Sequence, residues 1–263
     1  MSCLNKEEKA IHLALEKLEM VLVEKGEFDM GRNGGSNNEG PEHRVKIENS
    51  FYISAHEITF ELYDLYAQEK KKSLPKDNGW GRGKMPVINI TWMNMTAFCN
   101  WLSEKADLNP CYTMMTCDFS KNGFRLPTEA EWEFAARGGN NSLGYLFSGG
   151  NISNEVAWTS ENTDRNMETG LKKPNELGIY DMSGNVWEFC FDWYKEAYYQ
   201  SSPIGFPIGP EKKEIDTTYG GEKVRRGGSI TYAPEYARTT FRSAEKTNYG
   251  DFGIGFRIVR NAE

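Results

Sequence analysis

Phe124-Arg125-Leu126-Pro127-Thr128-Glu129-Ala130-Glu131-Trp132-Glu133 is the stretch on which the fold turns. Thr128 followed three residues later by Glu131 is a capping box: the hydroxyl accepts from the Glu131 amide, and the carboxylate reaches back to the Thr128 amide. Pro127 precedes the cap, and Gly138 follows Arg137 as a C-terminal stop. A short helix is therefore predicted between them. Glu129, Glu131 and Glu133 lie at its start, where acids complement the helix dipole. No neighbouring base or nucleophile turns them into a catalytic pair.

Towards the N-terminus, Lys6 to Met20 reads as a helix with Ile11, Leu13, Leu15 and Leu18 on a partial apolar face. Val21 to Val23 reads as a short strand, and Gly31 to Gly40 as a polar loop. Phe51 to Ile53 is strand-like, with Glu57-Ile58 in the same style. Thr59 is placed to cap a helix through about Gln68, with Leu62, Tyr63 and Tyr66 inward, and Thr91 caps another through about Ala106. In the latter, Ala97, Phe98, Trp101 and Leu102 form one apolar face. Beyond Gly138 turn residues recur every few positions. Val224-Arg225 and Phe256 to Val259 are the predicted core strands there. The expectation is one domain, residues 21–263, preceded by a helical appendage over residues 1–20.

The 263 residues suffice for a sizeable core. With 38% hydrophobic residues, 13% aromatics and 26 glycines, the composition favours a turn-rich globule over a helical bundle. A net charge of -7 argues against a nucleic-acid partner, whose phosphates demand a basic face. Lys70, Lys71 and Lys72 read as a solvated loop. The five cysteines, Cys3, Cys99, Cys111, Cys117 and Cys190, contain no CxxC pair, so a zinc ribbon or thioredoxin-like site is not expected. Cys111 and Cys117 allow a local disulfide, but free thiols are the expectation. Three histidines, His12, His43 and His56, are thin material for a transition-metal enzyme. No run of about 18 apolar residues exists to span a membrane. Cys3, before a charged segment, is either an accident of sequence or the acylation site of a lipoprotein.

These motifs, taken in order, resemble formylglycine-generating-enzyme domains. Gly26-Glu27-Phe28-Asp29-Met30-Gly31 is similar to the family's opening strand, and His56-Glu57-Ile58-Thr59 to the step that follows. Met85-Pro86-Val87 to Trp92 resembles the entry to the second helix. The stretch from Phe124 to Glu133 resembles the central signature, and Asn175 to Glu188 the second. Arg226-Gly227-Gly228-Ser229 and Gly255-Phe256-Arg257 close the series, which covers roughly Val21 to Arg260. The resemblance implies a mixed α+β, C-type-lectin-like fold.

It also implies a copper site that this chain lacks. The family's enzyme oxidises a cysteine on a substrate protein, using a cysteine pair shortly after the RGGS motif as soft ligands for Cu(I). Here Tyr232 and Ala237 occupy those positions, and no cysteine follows Cys190, so no copper is expected. A second branch, iron-dependent carbon–sulfur synthases, needs a histidine cluster in an additional helical domain that is not present here. A third branch, the variable proteins of diversity-generating retroelements, uses the fold as a rigid display platform with a diversified C-terminal segment. Residues 226–257 match that segment in place and are dense in Tyr, Thr, Asn, Asp and Phe, which suit adaptable binding. The expectation is a non-catalytic protein displayed at the cell surface, possessing a lipid on Cys3 as its only membrane link, with a cytoplasmic location as the alternative. It binds a protein or other macromolecule through Thr231, Tyr232, Ala233, Glu235, Tyr236, Thr239, Asn248, Tyr249, Asp251 and Phe252. A divergent or decayed enzyme is the alternative function.

The resemblance further implies calcium at Asp181, Gly184, Val186 and Glu188, since two carboxylates and two carbonyls on a tight turn suit a hard cation. The competing reading makes Gly184-Asn185 a plain turn and pairs Glu188 with an arginine. Trp132, Trp187, Trp193 and Phe256 are expected in the core, and Arg125 and Arg257 are expected to hydrogen-bond backbone carbonyls.

Overall fold

The computed structural model describes residues 5–215 and 221–262. Helix α1 (Lys6–Glu16) starts at Asn5, whose side chain accepts the Glu8 amide. It ends four residues earlier than expected, because the chain turns into strand β1 (Met20–Val23). Strands β2 (Gly26–Met30) and β3 (His43–Ile47) form an antiparallel hairpin. Strand β4 (Phe51–Ser54) pairs with β1, and Glu57-Ile58 joins no strand. Helices α2 (Phe60–Glu69) and α3 (Trp92–Lys105) follow Thr59 and Thr91 as expected. Thr91 makes the capping bond to the Asn94 amide, whereas Thr59 makes none.

A two-residue turn joins β5 (Tyr112–Thr113) to β6 (Thr116–Cys117). Helix α4 (Glu129–Ala136) carries the predicted box: the Glu131 amide donates to Thr128 Oγ1 at 3.1 Å, and the Thr128 amide donates to Glu131 Oε2 at 2.8 Å. Gly138 then takes φ 89°, the left-handed stop. After the short helix α5 (Ser153–Val156), strand β7 (Trp187–Trp193) lies at the centre of the main sheet. Strands β8 (Glu222–Arg226) and β9 (Arg242–Lys246) extend it antiparallel, and β10 (Ile254–Gly255) pairs with β7 in parallel. Strand β11 (Val259–Asn261) crosses to β4. Phe256 to Val259 is therefore not one strand: residues 256–258 pass between the two sheets, and Val259 opens β11.

Two apolar clusters hold these layers. One packs α2 and α3, including Tyr66, Phe98 and Trp101, against Trp187, Phe189 and Phe256. The other packs Trp132 and Phe134 of α4 against β3, β4, Cys190 and Val224. Strand β7 serves both clusters because its successive side chains point to opposite faces. Ile11 is buried in the first cluster, with Ala14, Leu15 and Leu18 against it, so α1 rests on the domain core. The four described cysteines are free, as expected for Cys111 and Cys117. Cys3 lies outside the described residues.

Candidate functional site

The segment 226–257 is tied down by arginines and offers aromatics between them. On one face of the main sheet, Arg226, Arg242 and Glu188 stand in register. All three point at α4. Arg226 donates to Glu129 Oε1 at 2.8 Å and to Glu133 Oε2 at 2.5 Å. Arg242 holds Glu129 in a fork of 2.6 and 2.8 Å. Burial alone raises the pKa of Glu129, but Arg242 and Arg226 outweigh it and hold the carboxyl below its usual range. Arg238 and the Thr240 hydroxyl bind Glu39 of the loop before β3. The acids Glu129, Glu131 and Glu133 thus do more than complement a dipole: each is buried and paired with an arginine.

On the opposite face, Trp187 forms a floor. The Tyr232 ring meets it edge-on at 5.3 Å, Phe241 lies at 6.1 Å, and the Arg225 guanidinium lies 4.8 Å above it. Tyr236 closes the group at 5.1 Å from Tyr232 and 4.9 Å from Phe241. Arg225 is steered by Ser243 at 3.2 Å and Glu245 at 3.3 Å. Tyr249 donates to Asp251 at 3.3 Å, and Phe252 stands edge-on to Trp80 at 5.5 Å.

Of the ten expected contact residues, Thr231, Glu235, Asn248, Tyr249 and Phe252 are exposed, and Tyr232, Ala233, Tyr236 and Asp251 are half-buried. Thr239 is a correction: it is 2% exposed, its amide bonds to Leu146, and its carbonyl accepts from Arg226. Trp187 and Phe256 are buried as expected. Sequence reasoning missed Phe241, Arg225, Ser243, Glu245 and Trp80. For the β8–β9 pair, the signal was the register that sets Arg225 opposite Ser243, which a single sequence does not display.

The two positions matched to the family's cysteines do not form a site. Tyr232 contributes its ring to the face, while Ala237 is buried with Phe147, Val156 and Ala157. Nor do the four residues matched to calcium fit that ion. Glu188 is 0% exposed, and its oxygens accept from Arg257 at 2.6 and 2.7 Å and from Trp132 Nε1 at 2.6 Å. That is the competing reading, and it leaves a guanidinium where the ion's charge would be. Asp181 accepts the Gly170 amide, and burial pushes its pKa up to about 6. Gly184 pairs with Trp158 so closely that a Cβ there would meet the Trp158 carbonyl oxygen at 2.2 Å, and the Val186 amide donates to Glu57 at 3.4 Å. Among the described residues, no group of three or more His, Cys, Asp or Glu is placed to hold a metal. Arg257 also donates to the Ser54 and Tyr180 carbonyls, as expected, and Arg125 to the Leu126 carbonyl. Both arginines add a carboxylate partner: Glu188 for Arg257, the arginine pairing expected in the competing reading, and Glu131 for Arg125, which was not expected.

Known proteins share this architecture. Treponema denticola variable protein 1 superposes with a TM-score of 0.75 at 29% identity, over 92% of this chain and 94% of that one. PvdO from Pseudomonas aeruginosa matches with a TM-score of 0.75 at 24% identity, over 93% and 94%, which speaks to the fold alone. The α+β, C-type-lectin-like fold is thereby established. Among curated sequences, chaperone protein LppX of Paenibacillus barcinonensis is 33% identical over 67% of this chain and 72% of its own length. Formylglycine-generating enzyme of Streptomyces coelicolor is 32% identical over 70% of this chain and 55% of its own length. Serine/threonine-protein kinase pkn1 of Chlamydia pneumoniae is 30% identical over 92% of this chain, which spans 38% of that protein. The model of the sulfatase-modifying factor enzyme 1-like domain matches residues 8–262, taking in both cores and the aromatic face, and the chain belongs to that family.

Proposed function

We propose that this protein is a non-catalytic display platform that binds a protein or other macromolecule through the aromatic face of residues 226–257, in the manner of a retroelement variable protein. The observation that carries the reading is the division of labour within one segment. Its arginines are committed to buried carboxylates, while Tyr232, Tyr236 and Phe241 gather over Trp187 and Tyr249 and Phe252 stand exposed farther along the segment. Rigid rings on a pinned backbone give contact area at low entropic cost. The similarity to the Treponema protein over nearly the whole of both chains supports the same reading. Attachment through a lipid on Cys3, with display at the cell surface, completes the proposal; intact mass of the native protein tests that part.

The test is a displayed library in which positions 231–233, 235, 236, 248, 249, 251 and 252 are randomised together. Most members should remain folded by thermal melt, and selection against an unrelated protein such as lysozyme should yield binders. In a selected binder, replacing an aromatic side chain at position 232 or 236 with alanine should cost about 2 kcal/mol or more of affinity. A library that is mostly unfolded refutes the platform. A reverse-transcriptase gene beside a near-copy of the segment's coding sequence is the matching genomic expectation.

The similarity to formylglycine-generating enzymes supports a second reading, a divergent enzyme of that chemistry. Incubation with Cu(I) and a sulfatase-type peptide, read by peptide mass, separates the two. Conversion of the peptide cysteine to the aldehyde favours the enzyme.

A further inference from the structure

Arg225 differs from the arginines that pin the segment. Arg226, Arg238, Arg242 and Arg257 all end on buried carboxylates. Arg225 precedes Arg226 on β8, so its side chain takes the opposite face, with its guanidinium 4.8 Å from the Trp187 ring centre. It is 9% exposed. A guanidinium carries five N–H donors. Among the described residues it makes one aligned hydrogen bond, from Nε to Ser243 Oγ at 3.2 Å. Glu245 Oε2 lies 3.3 Å from Nη1 as a charge partner outside hydrogen-bond alignment, and the other Glu245 oxygen accepts the Lys246 amide at 3.0 Å. Nη2 has no acceptor among the described residues.

The neighbours are donors too. The Trp187 indole N–H is buried and has no acceptor among the described residues. The Tyr232 ring lies 5.3 Å from Trp187 and 5.1 Å from Tyr236, and neither hydroxyl makes a hydrogen bond among the described residues. Apolar ring walls with a surplus of donors suit an acceptor carried on an apolar stem. Strand β8 lies between β7 and β9 and pairs Arg225 with Phe189 on one side and Ser243 on the other. Two ladders, rather than a loop, therefore hold the guanidinium in place.

We propose that Arg225 is the fixed anchor of the aromatic face, taking the carboxylate of an Asp or Glu on a partner protein while an apolar or aromatic neighbour of that acid packs on Tyr232 and Tyr236. This rests on the display reading and adds the partner's chemistry to it: the exchangeable positions choose among partners, and Arg225 requires an acid of each. A carboxylate fits better than other oxyanions for two reasons. The edge of a guanidinium matches its two oxygens in a bidentate pair. Glu245, 3.3 Å from Nη1, is a fixed negative charge that a monoanion tolerates better than the dianion of a phosphate ester. Trp, Tyr and Arg are also the side chains on which interface energy concentrates.

The experiment uses the full chain and three probes that share a phenyl ring: phenylpropionate, its neutral amide and phenyl phosphate. Dissociation constants are read by ligand-observed NMR at neutral pH, with thermal melts of every variant. The carboxylate should bind the wild type about tenfold more tightly than the amide, with phenyl phosphate no tighter than the carboxylate. Tyr232→Ala should weaken the carboxylate and the amide alike. Arg225→Gln should erase the difference between them. Glu245→Gln, at a half-buried site that leaves the arginine intact, should tighten the carboxylate and not the amide; it decides the matter if Arg225→Gln does not fold. The proposal is overturned if the wild type does not bind the carboxylate, binds the amide equally well or binds the phosphate more tightly. A carboxylate preference that survives Arg225→Gln, or a carboxylate affinity that does not rise in Glu245→Gln, overturns it as well. Binders selected from the randomised library separate this claim from the display reading. Each should lose about tenfold or more of its affinity on Arg225→Gln. Binders that keep their affinity overturn the anchor and leave the display role standing. A library that does not fold refutes the display role, while the probes still read Arg225 directly in the wild type.

Discussion

Glu129→Gln removes one charge from the middle of the scaffold while keeping the side chain's shape. In the wild type, Glu129 accepts from Arg242 at 2.6 and 2.8 Å, from Arg226 at 2.8 Å and from Tyr199 at 3.3 Å. Arg226 retains Glu133 after the change, but Arg242 keeps only neutral acceptors, the Asn38 carbonyl at 2.9 Å and the single amide oxygen of the new side chain. Arg242 is 1% exposed, so its charge is left buried without a carboxylate. Breaking a buried pair in this way costs about 3–5 kcal/mol. For a domain of this size that lowers the melting temperature by about 6–20 °C. The sign with pH follows from the depressed pKa of Glu129. Its stabilisation is present above the unfolded carboxyl's pKa and is lost as pH falls through the folded value. Thermal melts of both proteins from pH 7 down to pH 3 should therefore differ most at neutral pH and converge in acid. A variant melting within about 2 °C of wild type at pH 7 would refute the claim that this network anchors the segment.

Other expectations are narrower. Lys223 is buried with its ammonium 3.9 Å from the Trp193 ring centre and 4.5 Å from that of Trp92; burial pushes its pKa down to about 7. Unfolding then takes up a proton above that pH, so stability should rise with pH. Asp192, pushed up to about 8 chiefly by burial, opposes this only below pH 8. Lys223→Met should abolish the rise between about pH 8 and 10, read as melting temperature against pH. With Glu188 held by Arg257 and Trp132, melts in calcium and in chelator should coincide; a calcium-dependent rise would show that the carboxylate can leave its arginine.

What was legible in the sequence was local. The Thr128–Glu131 box and the Thr91 cap are decided within one helical turn, so spacing alone displays them. The partners of Arg226 and Arg242 lie 97 and 113 residues away on α4, and no window of sequence joins them. Thr239 was placed on the surface because it is polar; the fold buries it because Leu146 and Arg226 need its backbone. Phe256 to Val259 looked like one strand from its apolar character. Arg257, inside it, must reach Glu188 while its neighbours serve two different sheets, and that divides the run.

The same long-range pairing bears on the proposed function, which asks for a face that is defined and yet open to change. A slip of β9 by one residue would exchange Arg242 for Phe241 or Ser243 on the inner side, because strand side chains alternate. That would bury a ring or hydroxyl against Glu129 and drive a guanidinium into the aromatic group. Buried ion pairs gain little over apolar packing in stability, but they penalise a wrong register heavily. Arg226, Arg238, Arg242 and Arg257 apply that penalty at four points along the segment, each against a carboxylate from elsewhere in the chain. Outside strand β9, whose residues 243–246 pair with β8, the residues between those points lie off the sheet ladder. The proposed display role therefore expects Tyr236, Asn248, Tyr249 and Phe252 to be exchangeable for contacts with a partner while the scaffold that presents them stays in place.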